Sequence, residues 1–137
     1  MADKLKIKIP IKSEYVSTVR LTISSVAARV GFDVEALDDI KVAVSEACSN
    51  VILHGTDQDE FYSVEVEVLD DKLIISVLDN AGGFDLETYC EPVLDDPKQG
   101  GLGIFIMRAL MDEVSVHSEP GEGTIIRMSK YLPVRNS

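Results

Sequence analysis

Ser45-Glu46-Ala47-Cys48-Ser49-Asn50-Val51-Ile52-Leu53-His54, closed by Gly55, is the stretch on which both fold and chemistry turn. Read as helix, Glu46, Asn50 and His54 recur every four residues and share one side. Leu37, Ile40, Val44, Ala47 and Val51 make an apolar stripe down a different side, giving the helix a core face and a separate polar face. A carboxylate one turn from a carboxamide joins a group that can take a proton to a carbonyl oxygen that can hold a hard cation. Taken alone, such a pair is more often just the solvated side of an amphipathic helix. The surrounding chain has to decide.

Working back from this helix, Asp33 is placed to cap its N-terminus. Before it, Tyr15 to Val30 reads as an amphipathic helix capped by Ser13, with Val16, Val19, Ile23, Val26, Ala27 and Val30 facing inward and Gly31 as its stop. Leu5, Ile7, Ile9 and Ile11 alternate with Lys6, Lys8, Pro10 and Lys12, the period of a half-buried strand. Pro10 makes it an edge strand, because proline cannot donate to a second neighbour.

Working forward, Thr56 to Glu60 is a polar loop, and Val64, Val66 and Val68 alternate with polar residues as a strand with one wet face. Asp70-Asp71 turns that strand into Leu73 to Leu78, a hairpin. Asp79-Asn80-Ala81-Gly82-Gly83-Phe84 is rich in breakers, and residues 85–99 lack a period and read as a mobile lid. Gly100-Gly101-Leu102-Gly103 opens a third helix running from Ile104 to about Met111, and Val114 to His117 with Thr124 to Leu132 form a last hairpin. The order β-α-α-β-β-α-β-β predicts an α+β fold, a two-layer sandwich of one mostly antiparallel sheet with three helices on one face.

The 137 residues suit a single domain over 1–137, and 45% hydrophobic with 27% charged composition is ordinary for a globular chain. No run is apolar enough to span a bilayer and no signal core follows the N-terminus, which predicts a cytoplasmic protein without membrane attachment. Cys48 and Cys90 are too few for a disulfide framework and stand in no Cys/His cluster. A formal charge of −11 argues against direct nucleic-acid binding and favours basic protein partners, or merely solubility. With basic side chains this scarce, any polyphosphate would be held by backbone amides and a metal.

Three loci fall where two-layer folds keep pockets. Glu46 and Asn50 are the first. Asp79 is the second: a carboxylate at a strand end can accept from an exocyclic amine and so recognise adenine, or it can simply cap its own turn. Gly100-Gly101-Leu102-Gly103 is the third; glycines opening a helix let backbone N–H groups approach an anion, or mark a flexible loop. This third run lacks the Lys-Ser/Thr of a P-loop and does not follow a strand as a dinucleotide fingerprint would. Thr124 after Gly123 counts only if it faces the same pocket as Asp79.

Taken in order, an acid-plus-amide helix, an aspartate–glycine turn, a glycine-led helix and a Gly-Thr strand resemble the Bergerat-type nucleotide site of gyrase, histidine kinases, mismatch-repair ATPases and heat-shock chaperones. Within that superfamily the chain is most similar to the bacterial anti-sigma-factor serine kinases of the RsbW kind. Ala43-Val44-Ser45-Glu46-Ala47-Cys48-Ser49-Asn50, Gly100-Gly101-Leu102-Gly103, Leu110-Met111-Asp112-Glu113-Val114 and Thr124 with Lys130-Tyr131-Leu132 carry the resemblance. It implies ATP and Mg²⁺ as cofactors, Glu46 as general base and Asn50 as the metal ligand. It further implies that Asp79 reads adenine with support from Thr124, and that Gly101, Leu102 and Gly103 give N–H groups to the phosphates beneath the lid. Two departures stand out. Ala81 occupies the first glycine position of the Asp-x-Gly-x-Gly turn, with Gly83 at the second, and the lid has no arginine, leaving Lys98 as the basic candidate for the γ-phosphate. The resemblance implies a homodimer that sequesters a sigma factor and phosphorylates a serine on a small antagonist (anti-anti-sigma) protein. A nucleotide-gated binding switch without transfer is the alternative.

Overall fold

In a computed structural model of the chain, the described residues are 2–54, 61–79, 101–119 and 123–133. They form β1 (Asp3–Pro10), a short 3-10 turn (Ser13–Tyr15), α1 (Val16–Val30), α2 (Val34–His54), β2 (Phe61–Val68), β3 (Lys72–Asp79), α3 (Gly101–Leu110), β4 (Glu113–Glu119) and β5 (Gly123–Tyr131). The five strands make one sheet in the order β1-β2-β3-β5-β4, with every pairing antiparallel. The edge position of β1 explains why Pro10 is tolerated: it is paired to Phe61 alone.

Local chemistry places most boundaries where the sequence puts them. Asp33 Oδ1 accepts from the Ala36 N–H at 2.8 Å and so caps α2. Gly31 takes φ 114 in the left-handed region and ends α1. The Asp70-Asp71 turn closes through Leu69 N–H to the Lys72 carbonyl at 2.9 Å. Two expectations need correction. Ser13 does not cap α1: it begins the 3-10 turn, and Tyr15 stands at the cap in helical conformation without a side-chain bond. Gly101-Leu102-Gly103 is not a loop ahead of the third helix but the first turn of it. Neither glycine introduces a β-branch or a side chain that would oppose that turn, and the apolar run Leu102 to Met107 pulls it onto the neighbouring helix.

The core lies between the sheet and the helices. Ile40, Ala43, Val44, Ala47, Cys48 and Val51 of α2 meet Val64, Val66, Ile75, Val77, Ile126 and Met128 of the sheet, all at 0–1% exposure. Each of the valine, isoleucine and methionine side chains among them stabilises the fold by roughly 1.5–3 kcal/mol. Helix α2 packs against both α1 and α3 and against β3 and β5. The helix carrying Glu46 and Asn50 therefore sits over the middle of the sheet, its inner face fixed by core packing.

Candidate functional site

Helical spacing divides α2 cleanly. Ala43, Ala47, Cys48 and Val51 turn inward, while Glu46, Ser49, Asn50 and Leu53, at i, i+3, i+4 and i+7, line a groove shared with α3. Leu102, Gly103 and Ile106 form the opposite wall, and the groove measures about 190 Å³. Asn50 is only 5% exposed, Glu46 is half-buried and Ser49 exposed. The side chain of His54, the third member of the four-residue repeat, lies outside the described residues.

Close approach holds this groove together. A Cβ built on Gly103 would stand 3.1 Å from Glu46 Oε2 and 3.8 Å from the Glu46 Cβ and carbonyl oxygen. The carboxylate thus rests against the first turn of α3, where the leading N–H groups have no carbonyl of their own helix to bond. Among the described residues no lysine or arginine lies within ion-pair distance of Glu46.

Asp79 and Thr124 come together elsewhere on the same side of the sheet. They are direct partners across β3 and β5, and only 4% and 3% exposed respectively. Neither lines the α2–α3 groove. The described residues thus present two half-sites: a base-and-amide groove beside a helix N-terminus, and a buried acid–hydroxyl pair at a sheet end. Gly83, Lys98, Ala81 and the stretch 85–99 lie outside the described residues.

One polar residue escaped the sequence reading. Ser118 is the cross-strand partner of Thr124 on β4, is 4% exposed, and its Oγ stands 2.7 Å from Thr124 Oγ1. The signal was present: Val114, Val116 and Ser118 share one strand face, so a serine ends an otherwise apolar row.

Other features bear less on chemistry. A larger concavity of about 680 Å³ lies toward the opposite end of the sheet from Asp79, lined by Leu5, Val26, Arg29, Val30 and Val68 among others, and contains none of the candidate residues. Burial pushes the Cys48 thiol up to about 11, the neighbouring Tyr62 phenol opposing the rise; a thiol so shielded is a core filler and not a nucleophile. Among the described residues no cluster of three His, Cys, Asp or Glu forms a metal centre, and no helix is long and apolar enough to cross a membrane.

Comparison with known proteins gives the family. Residues 9–130 match the family model of the histidine kinase-like ATPase domain. The serine-protein kinase RsbW of Listeria innocua is 39% identical over 96% of this chain and 89% of its own length. The same-named protein of Bacillus subtilis is 36% identical over 96% of this chain and 87% of its own. Among solved structures, the RsbU and RsbW domains of a Mycobacterium tuberculosis protein superpose with TM-score 0.71 at 23% identity, covering 93% of this chain and 31% of that one, which speaks for the fold. An α+β sandwich with its acid and amide on the central helix, matched along nearly its whole length, thus belongs to the RsbW family of serine-protein kinases within the histidine kinase-like ATPases.

Proposed function

We propose that the chain is an anti-sigma factor and an ATP-dependent protein-serine kinase, transferring the γ-phosphoryl group to a serine of a small antagonist protein. The observation that carries this reading is the position of Glu46: its carboxylate lies against Gly103 in the first turn of α3 and shares a groove with Asn50. A base beside a phosphate-binding helix start is what a seryl hydroxyl needs to lose its proton while attacking phosphorus.

Each role is the one the resemblance implies, and the places of the described residues support it. Glu46 takes the hydroxyl proton. Gly101, Leu102 and Gly103 present N–H groups of the α3 N-terminus to the phosphates, where the helix dipole favours anions. Asn50 fits a hard cation: no side-chain hydrogen bond joins it to another described residue, its carboxamide opens on the groove holding a carboxylate, and phosphates and water supply the remaining oxygens such an ion takes. Bound there, Mg²⁺ would neutralise charge on the phosphates. Asp79 accepts from the adenine amino group with Thr124 beside it. Gly83 and Lys98 are assigned by resemblance, to the turn after Asp79 and to the γ-phosphate. Transfer of this kind depends mainly on positioning and charge neutralisation, which suits a site with few reactive side chains.

The partners follow from the same reading. A homodimer sequesters a sigma factor; with ATP it phosphorylates the antagonist and releases it, and with ADP it stays on the unphosphorylated antagonist and frees the sigma factor. The purified chain, incubated with labelled ATP, Mg²⁺ and candidate antagonist and sigma proteins of its own genome, should label one small protein on serine and co-elute with one sigma factor. Nucleotide binding without label transfer to any of them would overturn the kinase reading.

A further inference from the structure

The outer face of the sheet, turned away from the helices, carries a separate concavity. Strand alternation puts Val114, Val116, Ile126 and Met128 on the helix side, so Glu113, Ser115, Arg127 and Ser129 point outward. Glu113 pairs with Ser129 and Ser115 with Arg127 across β4 and β5, while Lys72 of β3 pairs with Tyr131 at the near end of β5. Two serines set among these longer side chains leave a hollow. It measures about 340 Å³ and is lined by Lys72, Glu113, Val114, Ser115, Arg127 and Ser129. None of these lines the α2–α3 groove, from which the sheet separates them.

The side chains around the hollow are mostly donors. Arg127 and Lys72 carry N–H donors only, and each serine has a hydroxyl that can donate, against the single carboxylate of Glu113. That carboxylate is engaged: its Oε1 accepts from the Tyr131 hydroxyl at 2.6 Å. Lys72 Nζ stands 4.0 Å from the same oxygen, too far for a hydrogen bond, so the ammonium keeps its donors. Among the described residues no carboxylate lies within ion-pair distance of Arg127. Ser129 is 6% exposed, and no side-chain hydrogen bond joins it to another described residue. A hydroxyl buried to that degree is costly without a partner. In a chain of formal charge −11, two cations around such a hydroxyl suit an external anion.

We infer that this hollow is a phosphate-binding site on the outer face of the sheet, with Lys72 and Arg127 meeting the charge and Ser115 and Ser129 donating to the oxygens. The ligand class is the phosphate group, as the free ion or as a phosphomonoester. Such a group carries about −1.5 to −2 at neutral pH, which two cations match and one does not. Its tetrahedral oxygens can accept from donors on β3, β4 and β5 together, whereas a planar carboxylate is served by the arginine fork alone. Lying across the sheet from Glu46 and Asn50, the site can be filled together with the nucleotide groove and does not rest on the kinase reading.

The test is an amide-shift titration of the isotopically labelled chain by NMR, with inorganic phosphate replacing chloride at fixed ionic strength. Its residue-by-residue readout separates this face from the N-terminus of α3, so the result stands whether or not the nucleotide reading does. The amides of Ser115, Arg127 and Ser129 should shift saturably in wild type. Arg127→Gln and Lys72→Gln should each weaken that binding about tenfold, the scale of one charge-assisted hydrogen bond. Ser129→Ala should weaken it about threefold, the scale of a neutral one. Arg108→Gln, which removes an exposed positive charge from α3 instead, should leave it unchanged. O-phospho-L-serine in place of inorganic phosphate tells the two sources apart: equal or tighter binding assigns the site to a phosphomonoester, weaker binding to the free ion. Acetate should bind about tenfold more weakly than phosphate, and equal binding would overturn the assignment to phosphate. Shifts that grow without saturating, or binding that falls as much in Arg108→Gln as in Arg127→Gln, would reduce the hollow to diffuse attraction and overturn the site.

Discussion

Gly103 of α3 leaves room for the carboxylate of Glu46 on α2: a Cβ added at Gly103 would lie 3.1 Å from Glu46 Oε2. The glycine is required by its neighbour, because its φ is not in the left-handed range that would demand glycine on conformational grounds. The obstructing atom is the far end of a flexible side chain, so Gly103→Ala can be accommodated by moving the carboxylate a few tenths of an ångström. The fold should survive and the base should be misplaced. We expect a melting temperature within a few degrees of wild type, since alanine favours helix over glycine. Transfer should fall about tenfold, as displacements well under 1 Å already erode near-attack geometry. Stopped phosphorylation assays beside thermal melts check both halves.

Glu46→Gln retains shape and hydrogen-bonding reach but cannot take a proton. As a base contributes roughly 10²–10⁴-fold to such a step, transfer should drop by that order while ATP affinity stays within a few-fold. Isothermal titration of ATP against single-turnover phosphorylation separates the two. Phosphorylation at the wild-type rate would remove Glu46 from the chemistry.

Asn50→Ala removes a carboxamide that is 5% exposed and opens on the groove. In the proposed role it should weaken nucleotide binding in the presence of Mg²⁺ by about tenfold or more, and leave binding in EDTA nearly unchanged. Loss of affinity of equal size in both conditions would assign the side chain to packing instead.

Much of this was legible before any coordinates. Period-two alternation fixed the strands, and the 3.6 period with Asp33 and Gly31 fixed α1 and α2, because the apolar residues have a single consistent burial solution. The proximity of Asp79 to Thr124, residues far apart in the chain, came from the resemblance alone. It depends on β5 inserting between β3 and β4, a strand order that local pattern does not encode. Ser118 was missed for a related reason: a lone serine gains meaning only once its cross-strand partner is known. Ser13 misled because the chain enters α1 through a 3-10 turn, which satisfies the leading backbone groups without a side-chain cap.

The buried Cys48–Tyr62 pair under α2 makes stability sensitive to alkali. Burial raises the Cys48 thiol from 9.0 to about 11, and it raises the Tyr62 phenol further, with Cys48 adding to that rise. Both groups are neutral when protonated, so the folded state holds their protons at pH values where the unfolded chain releases them. Stability from this source is complete below the unfolded thiol value and declines as pH climbs from 9.0 toward about 11. Denaturant titrations at pH 8 and pH 10.5 should therefore show a lower midpoint at the higher pH. Cys48→Ala removes one of the two titrating groups and fills most of the volume. It should be modestly less stable at pH 8, from the lost sulfur, yet lose less on going to pH 10.5. An identical alkaline decline in the variant would place the sensitivity outside this thiol.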